Sequence, residues 1–335
     1  MAGGVGSRFW PLSKLNKPKQ FLDILGTGRT LLQMTFDRFK SICPIENIYI
    51  VTSLNYKETI LEQLPEVNAE QVLLEPVRRN TAPCIAYANY KILQKNPNAN
   101  IVTAPSDHLI IKENIFKKVI TEGLKFVENN DALLTLGIKP SRPETGYGYI
   151  QVNGNNHIEE NKNIFKVKTF TEKPNKDLAK IFYESGEFFW NAGIFIWSLK
   201  SIRKAFEKYL PDIDLLFKEG VDIYNTEQEG SFIAETYSQC QNISIDYGVM
   251  EKAENVYVYC SDFGWADLGT WGSLHENSEK DEKNNAIIGN RIFTYDVENS
   301  IINMPNDKLV VLQGLKDYIV VESENILLVC KKEDE

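Results

Sequence analysis

The sequence predicts an α/β fold: a Rossmann-like mixed, mainly parallel sheet flanked by helices, with a small C-terminal all-β, β-helix-like appendage. Two observations predict it. Short β-rich runs alternate with helical stretches through the first half of the chain, and short apolar runs separated by Asn, Asp and Gly follow residue 284. Strands that alternate with helices form βαβ units and a parallel sheet covered on both faces. In such sheets, ligands bind at the carboxyl ends of the strands.

The individual elements follow from hydrophobic periodicity. Apolar residues at helical spacing predict amphipathic helices at residues 31–40, 81–94 and 113–128. Short runs of β-branched and apolar residues predict strands at residues 48–52, 71–75, 101–105 and 132–138. Residues 145–198 are richer in β-forming residues, and helices are expected again at residues 199–209 and 245–253.

The change in composition near residue 284 predicts a domain boundary. A main domain at residues 1–283 would bind the substrates, and residues 284–335 would form a small β domain. The apolar runs of this domain fit a few coils of a β-helix; they lie at residues 292–295, 309–312, 318–321 and 326–329. A β-meander that caps the sheet or holds a homodimer fits the same runs equally well.

The composition argues against several kinds of partner. A net charge of −9 argues against nucleic acid, because proteins that bind it carry an excess of Lys and Arg. No apolar run approaches the roughly 20 residues that span a bilayer, so no membrane partner is expected. The five cysteines are scattered and odd in number, which fits reduced thiols in a cytoplasmic protein.

The glycine-rich opening of the chain is typical of a phosphate site. Gly3, Gly4 and Gly6 let the backbone turn tightly and approach a ligand, because no Cβ stands in the way. The backbone amides of such a loop form a nest for phosphate oxygens. Arg8 adds a forked guanidinium, and Lys19 adds a compact positive charge. This combination indicates a polyphosphate ligand.

This opening resembles the signature of the sugar-nucleotidyltransferases. The stretch GGVGSRFWPLS, followed by KPKQF, carries the resemblance, and its FWPLS and PKQFL parts are most similar to the mannose-1-phosphate guanylyltransferases. The resemblance implies that the loop from Gly3 to Arg8, including Ser7, binds the nucleotide. No Gly-Lys-Ser/Thr follows, so the loop is not a Walker motif. The family has a buried strand before this loop. Only Met1 and Ala2 precede Gly3 here, so we expect the start of that strand to be missing.

Two aspartates are candidates for holding a metal ion. Asp107 follows a predicted strand in the segment PSDH, and Asp267 lies in the segment WADLGT. From the residues alone, Asp107 fits a helix N-cap and Asp267 fits a turn, and a lone aspartate at the end of a strand is more often structural. Both segments resemble metal-ligand positions of the sugar-nucleotidyltransferases. The resemblance implies a Mg²⁺ ion held by the two aspartates, with Ser106 beside the nucleotide. Mg²⁺ is commonly held by one or two carboxylates together with phosphate oxygens.

The segment EPVRRNTAP is a candidate for the base site. It follows a predicted strand and starts a helix, with Asn80 or Thr81 as the N-cap. It also resembles the guanylyltransferase pattern E-P-x-x-R-N-T-A-P, in which backbone and polar groups meet the edge of guanine. The resemblance implies that Glu75, Asn80, Thr81 and Ala82 bind the nucleotide.

Three further segments are candidates for binding the sugar phosphate, ETGYGY, FTEKP and WNAG. Sugar hydroxyls need paired donors and acceptors, which Glu172 and Asn191 supply, and Gly146 lets a ring approach the backbone. Lys173 would neutralise the phosphate on C1, and Tyr147 lies beside Gly146 in the first segment. Without the family, these residues fit an exposed turn and core positions. The segments match the family in order, and the resemblance covers almost the whole chain.

The resemblance implies an enzyme that converts GTP and mannose 1-phosphate to GDP-mannose and pyrophosphate. Its catalytic residues would be Arg8, Lys19, Asp107 and Asp267, with Mg²⁺ as the metal. The attacking sugar phosphate is already anionic, so catalysis is mainly positioning and charge neutralisation. Two alternatives stay open. One is a nucleotidyltransferase for another hexose 1-phosphate or base, and the other is a catalytically silent subunit that binds sugar nucleotides.

Overall fold

The computed structural model describes residues 1–4, 7–159 and 161–335. Its helices are α1 (Leu31–Lys40), α2 (Lys57–Gln63), α3 (Thr81–Leu93), α4 (Glu113–Asn129), α5 (Lys176–Ser185), α6 (Leu199–Tyr209), α7 (Pro211–Lys218), α8 (Glu229–Gln239) and α9 (Trp271–Asn277). Its strands are β1 (Ile50–Ser53), β2 (Val72–Glu75), β3 (Asn100–Thr103), β4 (Leu109–Ile110), β5 (Leu133–Ile138), β6 (Tyr149–Ile158), β7 (Asn161–Thr171), β8 (Phe188–Ser198), β9 (Val256–Cys260), β10 (Trp265–Ala266), β11 (Ala286–Ile288), β12 (Ile292–Tyr295), β13 (Ile301–Asn303), β14 (Val310–Gln313), β15 (Tyr318–Ser323) and β16 (Ile326–Lys331). No described helix is both long enough and apolar enough to cross a membrane.

The chain divides into two compact units. The first contains Met1, Arg38–Pro105 and Ile110–Trp265. The second contains Ala2–Asp37, Ser106–Leu109 and Ala266–Glu335. The glycine-rich opening therefore belongs to the same unit as the C-terminal strands. The boundary expected after residue 283 stays a prediction.

The first unit is built on a six-stranded sheet in the order β3-β8-β5-β9-β7-β6. The predicted mixed α/β sheet flanked by helices is confirmed. Its parallel content is lower than expected, since β5 and β9 form its parallel pair and the other neighbours pair antiparallel. The reason is that β8 returns between β3 and β5, and that β6 and β7 form a hairpin. Strands β1 and β2 pair in parallel in a sheet of their own.

Helices cover both faces of this sheet, as predicted. Every residue of β5 is buried, and successive residues point to opposite faces. Leu133 joins one apolar cluster with residues of α3, α6, α7 and α8. Leu134 and Leu136 join a second cluster with residues of α4 and α5. Burial on both sides explains why this strand is predominantly apolar.

The C-terminal strands of the second unit form β-helix coils. Strands β11, β13 and β15 stack in parallel, and β12 and β14 form a second parallel pair. A meander would pair consecutive strands antiparallel, as β15 and β16 do. Asn284, Asn299 and Asp317 have positive φ, a conformation that Asn and Asp tolerate better than most residues. The Asn284 amide donates to Asn299, and the Asn299 amide donates to Asp317. The β-helix expectation is therefore confirmed.

One predicted helix is confirmed only in part. Residues 245–253 form only a short π-helical turn, Asp246–Met250, followed by turns. Gly248 within it packs so closely on Leu210 that a Cβ would lie 2.8 Å from Leu210 Cδ1. π-Helical turns frequently occur at functional sites. This turn carries Asp246, whose carboxylate accepts a hydrogen bond from the predicted sugar-binding residue Asn191.

Candidate active site

The glycine-rich loop of the second unit is held by a buried glutamine. Gln20 Nε2 donates to the carbonyl oxygens of Ala2, at 2.9 Å, and Gly4, at 3.0 Å. Among the described residues, no atom other than those of its chain neighbours lies within 4 Å of the position that a Cβ at Gly4 would occupy. Gly6 lies outside the described residues. Gln20 was not among the predicted site residues, although it lies in the KPKQF segment.

Arg8 and Asp267 both lie close to Gly269. A Cβ on Gly269 would stand 3.3 Å from Arg8 Nη1 and 3.0 Å from Asp267 Oδ2. The side chain of Arg8 is exposed, whereas Phe9 is fully buried and packs edge-on against Trp271 at 5.0 Å between ring centroids. Phe9 therefore anchors the segment, and Arg8 is left facing solvent next to a carboxylate.

Lys19 links the two predicted metal ligands. Its Nζ donates to the carbonyl oxygens of Asp267 and of Leu268, the latter at 3.3 Å. The same atom lies 3.0 Å from Asp107 Oδ2. A buried ammonium group is stable only when it is paired and hydrogen-bonded. Lys19 is 6% exposed, so these contacts fix its position and bring Asp107 and the Asp267 segment to the same point.

The carboxyl group of Asp107 is charged at neutral pH. Burial raises its pKa, but Lys19 and His108 lower it, and the net result is a pKa below the ordinary value. Ser106 next to it is buried, and its carbonyl oxygen accepts from Thr35 Oγ1 at 3.3 Å. The charge of Asp107 therefore suits it for a cation.

The carboxylates of Asp107 and Asp267 fit a magnesium ion whose other ligands are phosphate oxygens and water. Asp267 Oδ1 accepts the amide of Gly269 at 3.0 Å, and both aspartates adjoin Lys19. Within the described residues, no group of three or more His, Cys, Asp and Glu side chains could hold a metal ion. Mg²⁺ keeps several waters and is commonly bound by one or two carboxylates plus substrate phosphates. Two carboxylates therefore suffice for it when a nucleotide is bound.

The predicted base segment in the first unit forms the N-terminus of α3. Asn80 is the N-cap with φ 67°, and its Oδ1 accepts the amide of Thr81 at 2.9 Å, so the capping prediction is confirmed. Thr81 Oγ1 accepts the amide of Ile245 at 2.9 Å. Ala82 is fully buried, and its amide donates to Ile243. Thr81 and Ala82 thus fix the helix end to residues 243–245.

Glu75 points into the protein interior. It is 6% exposed, and its Oε1 accepts from the Tyr237 hydroxyl at 3.2 Å. Burial raises the pKa of Glu75 to about 7. Arg79 donates to the carbonyl oxygen of Tyr237 at 3.0 Å, which holds the same helix end in place. Tyr237 was not predicted from the sequence, because it lies 162 residues from Glu75.

The predicted sugar-phosphate residues of the first unit fall into two groups. Glu172 Oε1 lies 2.7 Å from Lys173 Nζ, and the Glu172 side chain is 10% exposed. The ring of Tyr147 packs edge-on against Trp190 and Trp265, at 5.1 Å between centroids in both cases. Gly146 is exposed, and its amide donates to Glu144. Tyr147 therefore supports the aromatic cluster with its ring, and Glu172 and Lys173 form an ion pair.

Gly148, rather than Gly146, is the glycine that leaves room for the side chains of Glu172 and Asn191. A Cβ at Gly148 would lie 2.5 Å from Glu172 Oε2 and 3.4 Å from Asn191 Cβ. The backbone N–H of Asn191 donates to the carbonyl oxygen of Gly148 at 2.8 Å. Glu172 and Asn191 thus lie together over a backbone position without a side chain.

Asn191 is buried, and both the oxygen and the nitrogen of its side-chain amide are hydrogen-bonded. Its Oδ1 accepts from Thr135 Oγ1 at 2.8 Å and from the amide of Gly193 at 3.1 Å. Its Nδ2 donates to Asp246 Oδ1 at 2.9 Å. The pKa of Asp246 is raised to about 7, first by burial and then by the charge of Glu172. Asp246 is therefore part of this site, although the sequence reasoning missed it.

Each unit thus carries its own group of polar side chains, and the two groups are typical of α/β enzymes that act on phosphorylated compounds. One unit offers a glycine-rich loop, an exposed guanidinium and two carboxylates at a buried lysine. The other offers a carboxylate, an amide and a lysine over a glycine.

Comparison with known proteins agrees with this class. The sequence profile of the nucleotidyl transferase family matches residues 1–284. A mannose-1-phosphate guanylyltransferase of Escherichia coli is 36% identical over 343 residues, which cover 99% of this chain and 72% of the relative. One of Salmonella montevideo is also 36% identical, over 98% of this chain and 69% of the relative.

A solved structure shares nearly the whole fold. A Thermus thermophilus protein described as mannose-1-phosphate geranyltransferase superposes with a TM-score of 0.87 at 29% identity. The match covers 99% of this chain and 94% of that one. The chain therefore belongs to the nucleotidyl transferase family, and the resemblance inferred from its opening motif is confirmed.

Proposed function

We propose that this protein transfers GMP from GTP to mannose 1-phosphate, giving GDP-mannose and pyrophosphate. One observation carries the choice of substrates: the 36% identity over 99% of the chain to a mannose-1-phosphate guanylyltransferase. The charge distribution of the second unit supports a reaction between phosphates, because Arg8, Lys19 and two carboxylates meet there.

The reaction needs no general base. A phosphate oxygen of mannose 1-phosphate attacks the α-phosphorus of GTP, and pyrophosphate leaves in line with the new bond. The attacking oxygen is anionic at neutral pH, so the protein contributes positioning and charge neutralisation. The exposed guanidinium of Arg8 suits the leaving pyrophosphate, because its planar fork can donate two hydrogen bonds to one phosphate.

The lysines have different tasks. Lys173 is exposed, so its ammonium group can serve the phosphate on C1 while it stays paired with Glu172. Lys19 is buried and already has three oxygen neighbours. We infer that it acts on the α-phosphate from a fixed position and keeps Asp107 charged.

Asp107 and Asp267 would hold Mg²⁺, which would neutralise charge on the reacting phosphates when it is bound. The lowered pKa of Asp107 supports this assignment, because the carboxylate is ionised throughout the neutral range. The Gly269 amide fixes the rotation of the Asp267 carboxylate by donating to Oδ1.

Recognition of sugar and base rests on hydrogen bonds. Glu172 and Asn191 would read the C2 hydroxyl, whose inversion distinguishes mannose from glucose. A site built to bond a hydroxyl can discriminate strongly, because mispairing leaves its own polar groups unsatisfied. The α3 N-terminus from Glu75 to Ala82 would read guanine. The buried Glu75 carboxyl favours a supporting role there, with exposed groups such as Asn80 at the base itself.

Competition between paired substrates tests the proposal. Purified protein is given GTP with UTP, or mannose 1-phosphate with glucose 1-phosphate, and each nucleotide sugar is quantified. We expect GDP-mannose to dominate both mixtures. Equal use of UTP would refute the guanine assignment, and equal use of glucose 1-phosphate would refute the mannose assignment. No nucleotide sugar in any mixture would favour the silent sugar-nucleotide-binding subunit.

Homodimer formation, the absence of nucleic-acid and membrane partners and the cytoplasmic location stay predictions.

A further inference from the structure

The side-chain amide of Asn191 is held in one orientation by neighbours of fixed polarity. The backbone N–H of Gly193 can only donate, so the atom 3.1 Å from it must be the amide oxygen. The Thr135 hydroxyl, at 2.8 Å, gives that oxygen its second donor. Asp246 Oδ1, at 2.9 Å, is an acceptor and therefore faces the amide nitrogen. Both lone pairs of Oδ1 and one hydrogen of Nδ2 are thus used within the protein.

This arrangement leaves Asn191 one N–H for a ligand and no acceptor. An acceptor must come from elsewhere, and Glu172 supplies it. Glu172 Oε2 and Asn191 Cβ converge over Gly148, within 2.5 Å and 3.4 Å of the position that a Cβ would occupy there. Glu172 Oε1 is taken by Lys173. A single hydroxyl that accepts from Asn191 and donates to Glu172 matches the groups that remain.

The backbone that carries Asp246 is closely packed against neighbouring residues. Asp246 begins the π-helical turn Asp246–Met250, in which Gly248 lies against Leu210 without room for a Cβ. Its hydrogen bond to Asn191 bridges 55 residues of sequence. The charged groups that face it are Glu172, which repels its negative charge, and Lys173, which attracts it.

We propose that Asp246 is a positioning residue for sugar recognition: it fixes the Asn191 amide with N–H toward the substrate, so that Asn191 and Glu172 together bind one hydroxyl. The inference rests on the proposed function, in which Asn191 reads the sugar. Asp246 itself touches no substrate. Without it, the amide nitrogen loses its only described partner within the protein, and Asn191 no longer presents a defined donor.

Kinetics of four variants test this role. Asp246→Ala should raise KM for mannose 1-phosphate about tenfold, as expected for one lost hydrogen bond, while KM for GTP stays within about twofold. Asp246→Asn keeps an acceptor oxygen and should recover most of the loss. Asn191→Ala should match Asp246→Ala, and the double variant should be no worse than Asn191→Ala alone, because one residue acts through the other.

A matched control separates positioning from general destabilisation. Asp214 is a buried aspartate of the same unit whose Oδ1 accepts from the Tyr90 hydroxyl at 2.8 Å. Asp214→Ala should lower the melting temperature without changing the ratio of the two KM values. Additive losses in the Asp246/Asn191 double variant, or equal changes in both KM values for Asp246→Ala, would overturn the proposal.

A second measurement is independent of activity. The side-chain amide resonance of Asn191 can be assigned in protein labelled with ¹⁵N-asparagine, since it disappears in Asn191→Ala. We expect Asp246→Ala to move this resonance and Asp246→Asn to move it less. An unmoved resonance in Asp246→Ala would overturn the positioning role. If the wild type makes no GDP-mannose but the resonance moves, the positioning role stands and the proposed substrates are wrong.

Discussion

A methyl group at Gly148 tests the sugar site most sensitively. In Gly148→Ala, the new Cβ would stand 2.5 Å from Glu172 Oε2, and ordinary van der Waals contact begins at 3.4 Å. The carboxylate oxygen must therefore move by about 0.9 Å. A misplacement of about 1 Å in a reacting complex can cost on the order of 100-fold in rate. We expect kcat/KM for mannose 1-phosphate to fall about 10- to 100-fold, with KM for GTP nearly unchanged.

The fold should survive this change. The atom in the way is the end of a flexible side chain, so the carboxylate can rotate away, at a cost of about 1–3 kcal/mol in the free energy of unfolding. Steady-state kinetics with each substrate varied in turn, together with thermal unfolding, measure both effects.

Gly230→Ala is the matched control. Gly230 lies in the first turn of α8, and among the described residues outside that turn no atom lies within 4 Å of the position of a Cβ there. Alanine within a helix is more stable than glycine by about 0.5–1 kcal/mol. This variant should keep wild-type kinetics with a slightly higher melting temperature. A Gly148→Ala protein with wild-type KM for mannose 1-phosphate would refute the placement of Glu172 in the sugar site.

Three further predictions address the metal, the sugar and pH. Asp267→Asn should abolish turnover and leave the melting temperature within a few degrees of wild type; wild-type turnover would refute the metal assignment. Asn191→Ala should weaken use of mannose 1-phosphate far more than GTP binding measured by titration calorimetry, and equal losses would refute its role. Glu75 has a pKa of about 7 in the folded protein, so its contribution to stability is lost as pH rises from about 4.5 through 7. Chemical unfolding from pH 5 to 8 should show the wild type losing up to about 3 kcal/mol relative to Glu75→Gln, and parallel pH profiles would contradict the burial of this carboxyl.

The sequence predicted correctly those elements that are determined by residues close to one another in the chain. Helices at residues 31–40 and 199–209 have the bounds expected, because apolar spacing within a helix is enough to define it. The short apolar runs between Asn, Asp and Gly likewise predicted the C-terminal strands, although they fitted a β-meander as well as β-helix coils. The pairing of β8 between β3 and β5 was not predicted, since strand order depends on contacts between distant segments.

The same distinction applies to the candidate site. Asp107, Asp267, Glu172 and Asn191 were named from short motifs, because each lies in a segment with a recognisable pattern. Asp246 was missed, since its partner Asn191 lies 55 residues away and nothing near Asp246 in sequence indicates the pair. Gly148 was passed over for Gly146, because only the folded chain shows which glycine faces Glu172.

The proposed transfer of GMP to a sugar phosphate can be decided by product analysis of a single reaction. Purified wild-type protein is incubated with GTP, mannose 1-phosphate and Mg²⁺, and ³¹P NMR follows the phosphorus resonances over time. We predict equal amounts of GDP-mannose and pyrophosphate, formed as both substrates disappear and absent when Mg²⁺ is chelated. Unchanged substrate resonances, or GDP and inorganic phosphate in place of GDP-mannose and pyrophosphate, would contradict it.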